Sequence, residues 1–182
     1  MQYGIGFALV LGLGIGVFLL TPMLTGRALP TMLGLLPLRQ SAPVDFANLL
    51  KPDSPNAALV CPSQLCPQWS DPETRSAALE STLPAEQLLQ RLLALVSQEP
   101  AVAVLREPEG LGGLKTILVQ RTKLIGFPDI IDVEAVALAD GRSSLMAFSR
   151  SIYGYSDLGV NQARLQRWMA LLEADLAGRP PR

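Results

Sequence analysis

The sequence predicts an α+β domain, in which a four-stranded antiparallel meander sheet carries two helices on one face, preceded by one transmembrane helix. Three observations predict this fold. Residues 3–24 carry no charged side chain, two later segments repeat apolar residues at helical spacing, and four segments between those two have strand patterns joined by short turns. In the order α-β-β-β-β-α, both helices most simply bury the same face of the sheet.

The composition excludes several classes of function. With 15 Lys+Arg and 16 Asp+Glu, the formal net charge of −1 provides no electrostatic basis for binding nucleic acid. The chain has no histidine, so it lacks the commonest general base and transition-metal ligand, and its two cysteines are too few for a four-cysteine zinc site. We therefore expect no metal, no cofactor and no nucleic-acid partner.

The first predicted element is a membrane anchor over residues 1–26. As a helix, residues 3–24 (YGIGFALVLGLGIGVFLLTPML) would rise roughly 33 Å, enough to cross a hydrocarbon core of about 30 Å. A secretory signal has a basic start, a shorter apolar core and a cleavage site, none of which this segment shows. An uncleaved anchor is therefore favoured over a cleaved signal peptide and over a buried core helix.

Small residues recur every four positions in this anchor, at Gly4, Ala8, Gly12 and Gly16. This spacing places them along one helix face, which is how membrane helices approach each other closely. We therefore expect the anchor to lie in the lipid bilayer and to pack against an integral membrane partner. The alternative is that glycine is simply frequent in membrane helices.

The orientation of the anchor is open. Arg27, Arg39 and Lys51 follow the span and no basic residue precedes it, which by the positive-inside rule places the following domain in the cytoplasm. Cys61 and Cys66 argue the other way, because four intervening residues suit a small disulfide loop and a disulfide indicates an oxidising compartment. Two free thiols or a redox pair are the alternatives, although a Cys-x-x-Cys redox motif has two intervening residues.

Residues 27–57 are expected to form a juxtamembrane segment and a proline-rich linker, followed by the α+β domain over residues 58–182. Six prolines between residues 39 and 80 favour an extended chain without regular structure, because proline removes backbone donors. Trp69 is expected to pin the cysteine loop to the domain.

The elements of the domain are then predicted in order. A helix is expected over residues 84–98, since apolar residues recur there at helical spacing before Pro100. Four strands are expected, at residues 101–105, 114–122, 130–139 and 143–150. Asp140 and Gly141 form a two-residue hairpin signal between the last two strands.

A final helix is expected over residues 161–176. Its predicted apolar face comprises Leu165, Trp168, Met169, Leu172 and Leu176. Its predicted solvent face comprises Arg164, Arg167, Glu173 and Asp175. The sheet face away from the helices is expected to be uncovered and to meet solvent, membrane, partner or ligand.

Polar residues concentrate between the last strand and the last helix, in residues 149–161. Seven side chains are candidates for a binding surface at one end of the sheet. They are Arg150, Tyr153, Ser156, Asp157, Asn161, Asp129 and Arg121. The alternative is structural: Gly154 and Gly159 permit tight turns, and the polar residues cap the helix. In that interpretation Arg150 pairs with Asp157 to lock the corner.

The same stretch resembles a known family. Residues 126–129 (GFPD), 140–143 (DGRS), 149–151 (SRS) and 153–161 (YGYSDLGVN) look like motifs of the domain of unknown function 1499, DUF1499. Cys61 and Cys66 resemble the upstream cysteine element of that family. The resemblance spans roughly residues 58–177 and includes the terminal helix.

Two positions depart from the family pattern. Gln64 and Leu65 stand where members have Pro-Asn, and Ile152 stands where members have a basic residue, which weakens the case for an anion site at that spot. Members are often lipoproteins or membrane-anchored proteins, so the resemblance implies a domain outside the cytoplasm, on the periplasmic side. The family has no established activity, so the resemblance implies an architecture rather than a reaction.

The leading functional hypothesis is a membrane-anchored, non-catalytic binding or assembly protein, an accessory subunit that packs against a membrane partner. The alternative is a module that binds a small ligand or lipid on the uncovered sheet face. A second alternative is a hydrolase-like enzyme without histidine, which would use Asp129, Asp157 or Ser156.

Overall fold

The computed structural model describes residues 43–108, 114–122 and 126–178. The predicted anchor over residues 1–26, with its row of Gly4, Ala8, Gly12 and Gly16, lies outside the described residues. Within the three described ranges, no helix combines the length and apolarity needed to cross a membrane.

The described chain forms seven strands, two α-helices and one short 3-10 turn. The strands are β1 (Ala57–Val60), β2 (Arg75–Ser76), β3 (Glu80–Ser81), β4 (Val102–Arg106), β5 (Lys115–Arg121), β6 (Pro128–Ala137) and β7 (Ser143–Ser151). The helices are α1 (Ala85–Val96) and α2 (Val160–Leu176), and the 3-10 turn is Phe46–Asn48. The predicted α+β class is confirmed.

The sheet is mixed and has seven strands, in the order β2-β1-β7-β6-β5-β4, with β3 also pairing with β7. The antiparallel meander from β4 to β7 is present as predicted. The prediction of a four-stranded antiparallel sheet is wrong, because β1 and β3 add antiparallel pairs to β7 and β2 pairs in parallel with β1. None of these three strands shows the alternation of apolar and polar residues that marks a half-buried strand. β2 and β3 have only two residues each, and all four residues of β1 are buried.

Both helices pack on the same sheet face, as predicted. Leu88 and Leu92 of α1 and Leu165, Trp168 and Leu172 of α2 belong to one buried cluster. The strand side chains in that cluster are Ala58, Val60, Leu118, Ile131, Val133, Ala135, Leu145 and Ala147. Burying each large apolar side chain stabilises the fold by about 1.5–3 kcal/mol, so this layer is the main core of the domain.

The opposite face of the sheet is covered over β1 and β7. Phe46, Trp69 and the disulfide between Cys61 and Cys66 are buried there, and the Trp69 ring meets the Phe148 ring edge-on at a centroid distance of 5.6 Å. The expectation of an uncovered face is therefore wrong for this half, whereas the disulfide and the pinning role of Trp69 are confirmed. The cover comes from the proline-rich region, which orders by contact with the sheet.

The hairpin between β6 and β7 sets the register of the two longest strands. Gly141 has φ of 80°, and the Asp140 carboxylate accepts a hydrogen bond from the backbone N–H of Arg142 at 3.1 Å. This tight turn aligns the far end of the pair, so that Asp129 lies opposite Ser151.

Candidate functional site

The seven predicted site residues do not converge, because they occupy two faces of the sheet. In the β6–β7 pair, Asp129 faces Ser151, Ile130 faces Arg150, and Ile131 faces Ser149. Since side chains alternate along a strand, Asp129, Ser149 and Ser151 project toward α2, and Arg150 projects to the opposite face. The expectation of one shared surface is wrong for Arg150.

Arg150 pairs with Asp132 and not with Asp157. Its Nη1 lies 2.5 Å from Oδ2 of Asp132, and its guanidinium lies 4.9 Å from the centre of the Phe148 ring. Asp132 also accepts a hydrogen bond from the backbone N–H of Val44 at 3.2 Å. The predicted Arg150–Asp157 pair is therefore wrong, and Arg150 instead pairs with the carboxylate that ties the sheet to the segment covering it.

A buried ion pair joins α2 to the sheet on the helix side. Arg164 Nη2 lies 2.5 Å from Asp129 Oδ2, and both side chains are almost fully buried. Arg164 also donates from Nε to Gln120 Oε1 at 2.5 Å and from Nη1 to Ser149 Oγ at 2.7 Å and Asn161 Oδ1 at 2.6 Å. The predicted solvent position of Arg164 is wrong, because these four acceptors compensate the buried charge.

Asn161 extends these contacts to the strand–helix corner. Its amide nitrogen donates to the Asn56 carbonyl at 2.9 Å, to Ser151 Oγ at 3.1 Å and to Asp157 Oδ2 at 2.7 Å. Ser149 Oγ donates to Asn161 Oδ1 at 2.6 Å. The Arg164 network joins the start of α2 to β5, β6 and β7, and it comprises Asp129, Gln120, Ser149, Asn161, Arg164 and Asn56.

Asp157 shapes the entrance to α2. Its carboxylate accepts hydrogen bonds from the backbone N–H of Gly159 at 3.0 Å and of Asn161 at 2.7 Å. Leu158 and Gly159 both adopt left-handed backbone conformations, with φ of 54° and 81°. The capping role predicted for Asp157 is confirmed, because its carboxylate accepts the N–H of Asn161, one of the groups that the first helical turn leaves free.

The remaining three predicted residues have separate surroundings. The Tyr153 ring packs against the Phe127 ring at a centroid distance of 5.6 Å. Ser156 Oγ accepts a hydrogen bond from the backbone N–H of Leu158 at 3.3 Å. Arg121 Nη1 donates to the Gly126 carbonyl at 3.2 Å. None of these contacts brings the three side chains into the Arg164 network.

Sequence reasoning missed Arg164, Asn56 and Gln120, and one signal identifies the first of them. Arg164 follows Asn161 by three positions and precedes Trp168 by four, so all three share one helix face. A charged residue inside an apolar stripe requires a buried partner, which Asp129 supplies.

A groove of about 520 Å³ lies beside this network, at the end of β5. The residues relevant to its chemistry are Glu99, Gln120, Arg121, Thr122, Arg164 and Arg167. Arg167 binds Glu99 with two hydrogen bonds, from Nε at 2.9 Å and from Nη2 at 2.6 Å. Burial raises the pKa of Glu99, but the interactions with Arg167, Trp168 and Gln120 together outweigh burial and hold that pKa below its ordinary value.

Residues 152–160, which run from the end of β7 to the first residue of α2, expose apolar side chains, and we name this segment the exposed loop. Leu158 is 93% exposed and Tyr155 is 75% exposed, and Ile152 and Val160 are also exposed. These are four of the six exposed large apolar side chains among the described residues. The Asn56 side-chain amide supports the loop by donating a 2.7 Å hydrogen bond to the Gly154 carbonyl.

The described ranges contain no group of three or more histidine, cysteine, aspartate or glutamate side chains arranged to hold a metal ion.

Comparison with known proteins identifies one family. No curated protein and no solved structure matches the chain. The family model described as "Protein of unknown function (DUF1499)" matches residues 49–172, well over half of the chain. The chain therefore belongs to the DUF1499 family.

Proposed function

We propose that this protein is a membrane-anchored, non-catalytic binding protein that assembles with an integral membrane partner, its anchor packing in the bilayer and its exposed loop contacting the partner at the membrane surface. One observation carries the proposal: four of the six exposed large apolar side chains of the described chain lie within nine consecutive residues. Concentrated exposed apolar surface is typical of interaction sites, whereas scattered exposed side chains are not.

The backbone of the exposed loop supports this role. Leu158 has φ of 54°, a conformation that is uncommon for residues other than glycine, asparagine and aspartate and that costs about 1 kcal/mol or more. Burial of the side chain does not offset this backbone cost, because Leu158 is 93% exposed. A strained, exposed leucine gains from association, because covering such a side chain contributes about 1.5–3 kcal/mol.

The loop is also rigidly supported, which favours binding. Asp157 accepts two backbone hydrogen bonds within the loop and at the start of α2, and Asn56 binds the Gly154 carbonyl. A loop that is ordered before association loses less conformational entropy when a partner covers it.

The residues that a hydrolase would use have structural contacts instead. Asp129 pairs with Arg164, Asp157 accepts backbone hydrogen bonds, and Ser156 accepts one from Leu158. A nucleophile requires an adjacent base, and a general base requires a carboxylate free to accept a proton. Because the three side chains are already held in structural contacts, they support a binding role over a catalytic one.

We further propose that the domain faces the extracytoplasmic side. The disulfide between Cys61 and Cys66 supports this location, because disulfides persist in oxidising compartments and are rare in the cytosol.

The test is co-purification from native membranes in a mild non-ionic detergent. The wild-type protein is expected to retain an integral membrane protein at constant stoichiometry, and Leu158→Asn is expected to lose it. Asparagine adopts the left-handed conformation readily, so this substitution should leave the free energy of unfolding unchanged or slightly raised. Leu50→Asn is the matched control, since Leu50 is an exposed leucine outside the loop. A wild-type protein that purifies alone as a monomer would contradict the proposal.

A further inference from the structure

The strand β4 forms one edge of the sheet. The strand order ends in β4, which among the described residues pairs with β5 alone. The other end of the sheet is formed by β2, which has only two residues. An edge strand presents backbone N–H and C=O groups that can pair with a further strand. With five residues, β4 is the longer template for such pairing.

The backbone of Val104 faces this edge. The Arg121 N–H donates to the Ala101 carbonyl at 3.1 Å, so Ala101 forms a hydrogen-bonded pair with β5. Hydrogen-bonded pairs alternate with non-hydrogen-bonded pairs along an antiparallel ladder, so Val102 and Val104 direct their N–H and C=O groups away from β5. The Val102 N–H donates to the Glu99 carbonyl at 3.4 Å, whereas neither backbone group of Val104 bonds a described residue on the outer side.

The side chains of β4 do not block the edge. Its sequence is VAVLR, which contains no proline, and both Ala103 and Val104 are exposed. Natural edge strands are protected from pairing by charged residues, by proline or by a bulge. In β4 the charge of Arg106 and the shift of register before it come at the end of the strand, so residues 102–104 remain unprotected.

We propose that a second copy of this chain pairs with this edge, so that β4 and its copy form an antiparallel two-fold pair centred on Val104. In that register the N–H and C=O of Val104 bond the C=O and N–H of the same residue in the copy. The two exposed valine side chains then lie next to each other and cover each other. Arg106 lies opposite Val102 of the copy, so no like charges face each other across the pair.

A foreign strand is the other occupant that such an edge admits, and the side chains favour the second copy. Residues 102–105 are all apolar, so they offer no hydrogen-bonding or charged side chain that would select a foreign strand. A second copy matches them by symmetry, as a two-fold interface requires. The proposal goes beyond the proposed function, and β4 shares no residue with the exposed loop.

The test is cross-linking of full-length Val104→Cys in native membranes with a short bismaleimide, which reacts with free thiols. The two natural cysteines of the chain form the disulfide between Cys61 and Cys66, so the introduced thiol is the one that reacts. The Cα atoms of a hydrogen-bonded antiparallel pair lie about 5.5 Å apart, which is within reach of the reagent. A covalent dimer is therefore expected as the main product. Leu50→Cys is the matched control, since Leu50 is exposed outside β4, and it should remain monomeric.

A second variant tests the pairing without a reagent. Native mass spectrometry of the full-length protein in a mild non-ionic detergent should show two copies for the wild type. Val104→Lys should lose the dimer, because a charged side chain protects an edge strand from pairing. Leu50→Lys, which adds the same charge at another exposed leucine, should keep it. Leu158→Asn should also keep the dimer, and Val104→Lys should keep the membrane partner, which separates this proposal from that of the exposed loop.

Three results would overturn the proposal. The first is an equal yield of covalent dimer from Val104→Cys and Leu50→Cys, which would indicate random collision. The second is a cross-link from position 104 to a different protein, which would identify a foreign strand as the occupant of the edge. The third is a wild-type protein with one copy in the mass spectrum, or a Val104→Lys protein that keeps two.

Discussion

Arg164 of α2 and Asp129 of β6 form a buried ion pair, with 2.5 Å between Nη2 and Oδ2 and side-chain exposures of 4% and 3%. The pair lies where the last helix crosses the start of β6. Gln120, Ser149 and Asn161 accept the other hydrogen bonds of Arg164, so four of its five guanidinium N–H groups have described acceptors. The strand–helix corner is therefore held by one network rather than by independent contacts.

Arg164→Met should strongly destabilise the domain. The substitution leaves Asp129 as a buried carboxylate without a cation, which costs about 3–5 kcal/mol. Denaturant unfolding of the full-length protein measures the change. The control is Arg91→Met, since the Arg91–Asp175 pair is largely exposed and should contribute less than about 1 kcal/mol. Equal effects of the two substitutions would contradict the network.

Asn161→Ala should destabilise the domain by about 2–4 kcal/mol. It leaves the hydroxyl hydrogen of Ser149 and one N–H of Arg164 without a buried acceptor, and each unsatisfied group costs about 1–3 kcal/mol. The measurement is again the free energy of unfolding. In a double-mutant cycle with Arg164→Met, the two effects should fall well short of additivity, because both residues belong to the same network. Additive effects would show that the contacts are independent.

Reduction of the disulfide between Cys61 and Cys66 should destabilise the domain by about 2 kcal/mol, the chain-entropy value for so short a loop. The measurement compares unfolding with and without dithiothreitol. The double variant Cys61→Ser and Cys66→Ser should have the lower stability in both conditions and should not respond to the reductant. A wild-type protein of unchanged stability after complete reduction would show that the buried packing of Trp69 alone holds this segment.

Acid should weaken the contact between Glu99 and Arg167. The pKa of Glu99 is lowered in the folded protein, so its stabilising effect is complete above the ordinary glutamate pKa and is lost as the pH falls through the lower folded value. Unfolding measured from neutral pH to pH 3 should show a smaller acid loss in Glu99→Gln than in the wild type. Identical pH profiles would contradict this role of Glu99.

The sequence predicted the meander and both helices because their patterns are long and periodic. Leu88 and Leu92 repeat at helical spacing, and Asp140-Gly141 specifies the hairpin. The strands β1 to β3 were missed for a physical reason. They are two to four residues long and form only by pairing with distant β7 or with each other, which no local pattern encodes.

The site was predicted less well than the fold. Arg164 was assigned to solvent because charged residues are rarely buried, and its buried partner Asp129 lies 35 positions away in the sequence. Arg150 and Asp157 were paired because they are close along the chain, yet Arg150 points to the sheet face opposite α2. Arg150 meets Asp132 through the alternation of side chains on β6 and β7, and Arg164 meets Asp129 through the packing of α2 on the sheet. Neither contact joins residues that are close in the sequence.

The central claim is that the exposed loop contacts a membrane partner, and site-specific photo-cross-linking tests it most directly. Tyr155 is 75% exposed and is replaced by a photoreactive phenylalanine analogue in the full-length protein, in native membranes. The same replacement at Leu50, which is 64% exposed, is the control. The proposal predicts one discrete protein adduct from position 155, absent from position 50 and lost when Leu158→Asn is combined with it. No protein adduct from position 155, or an adduct with lipid alone, would contradict it.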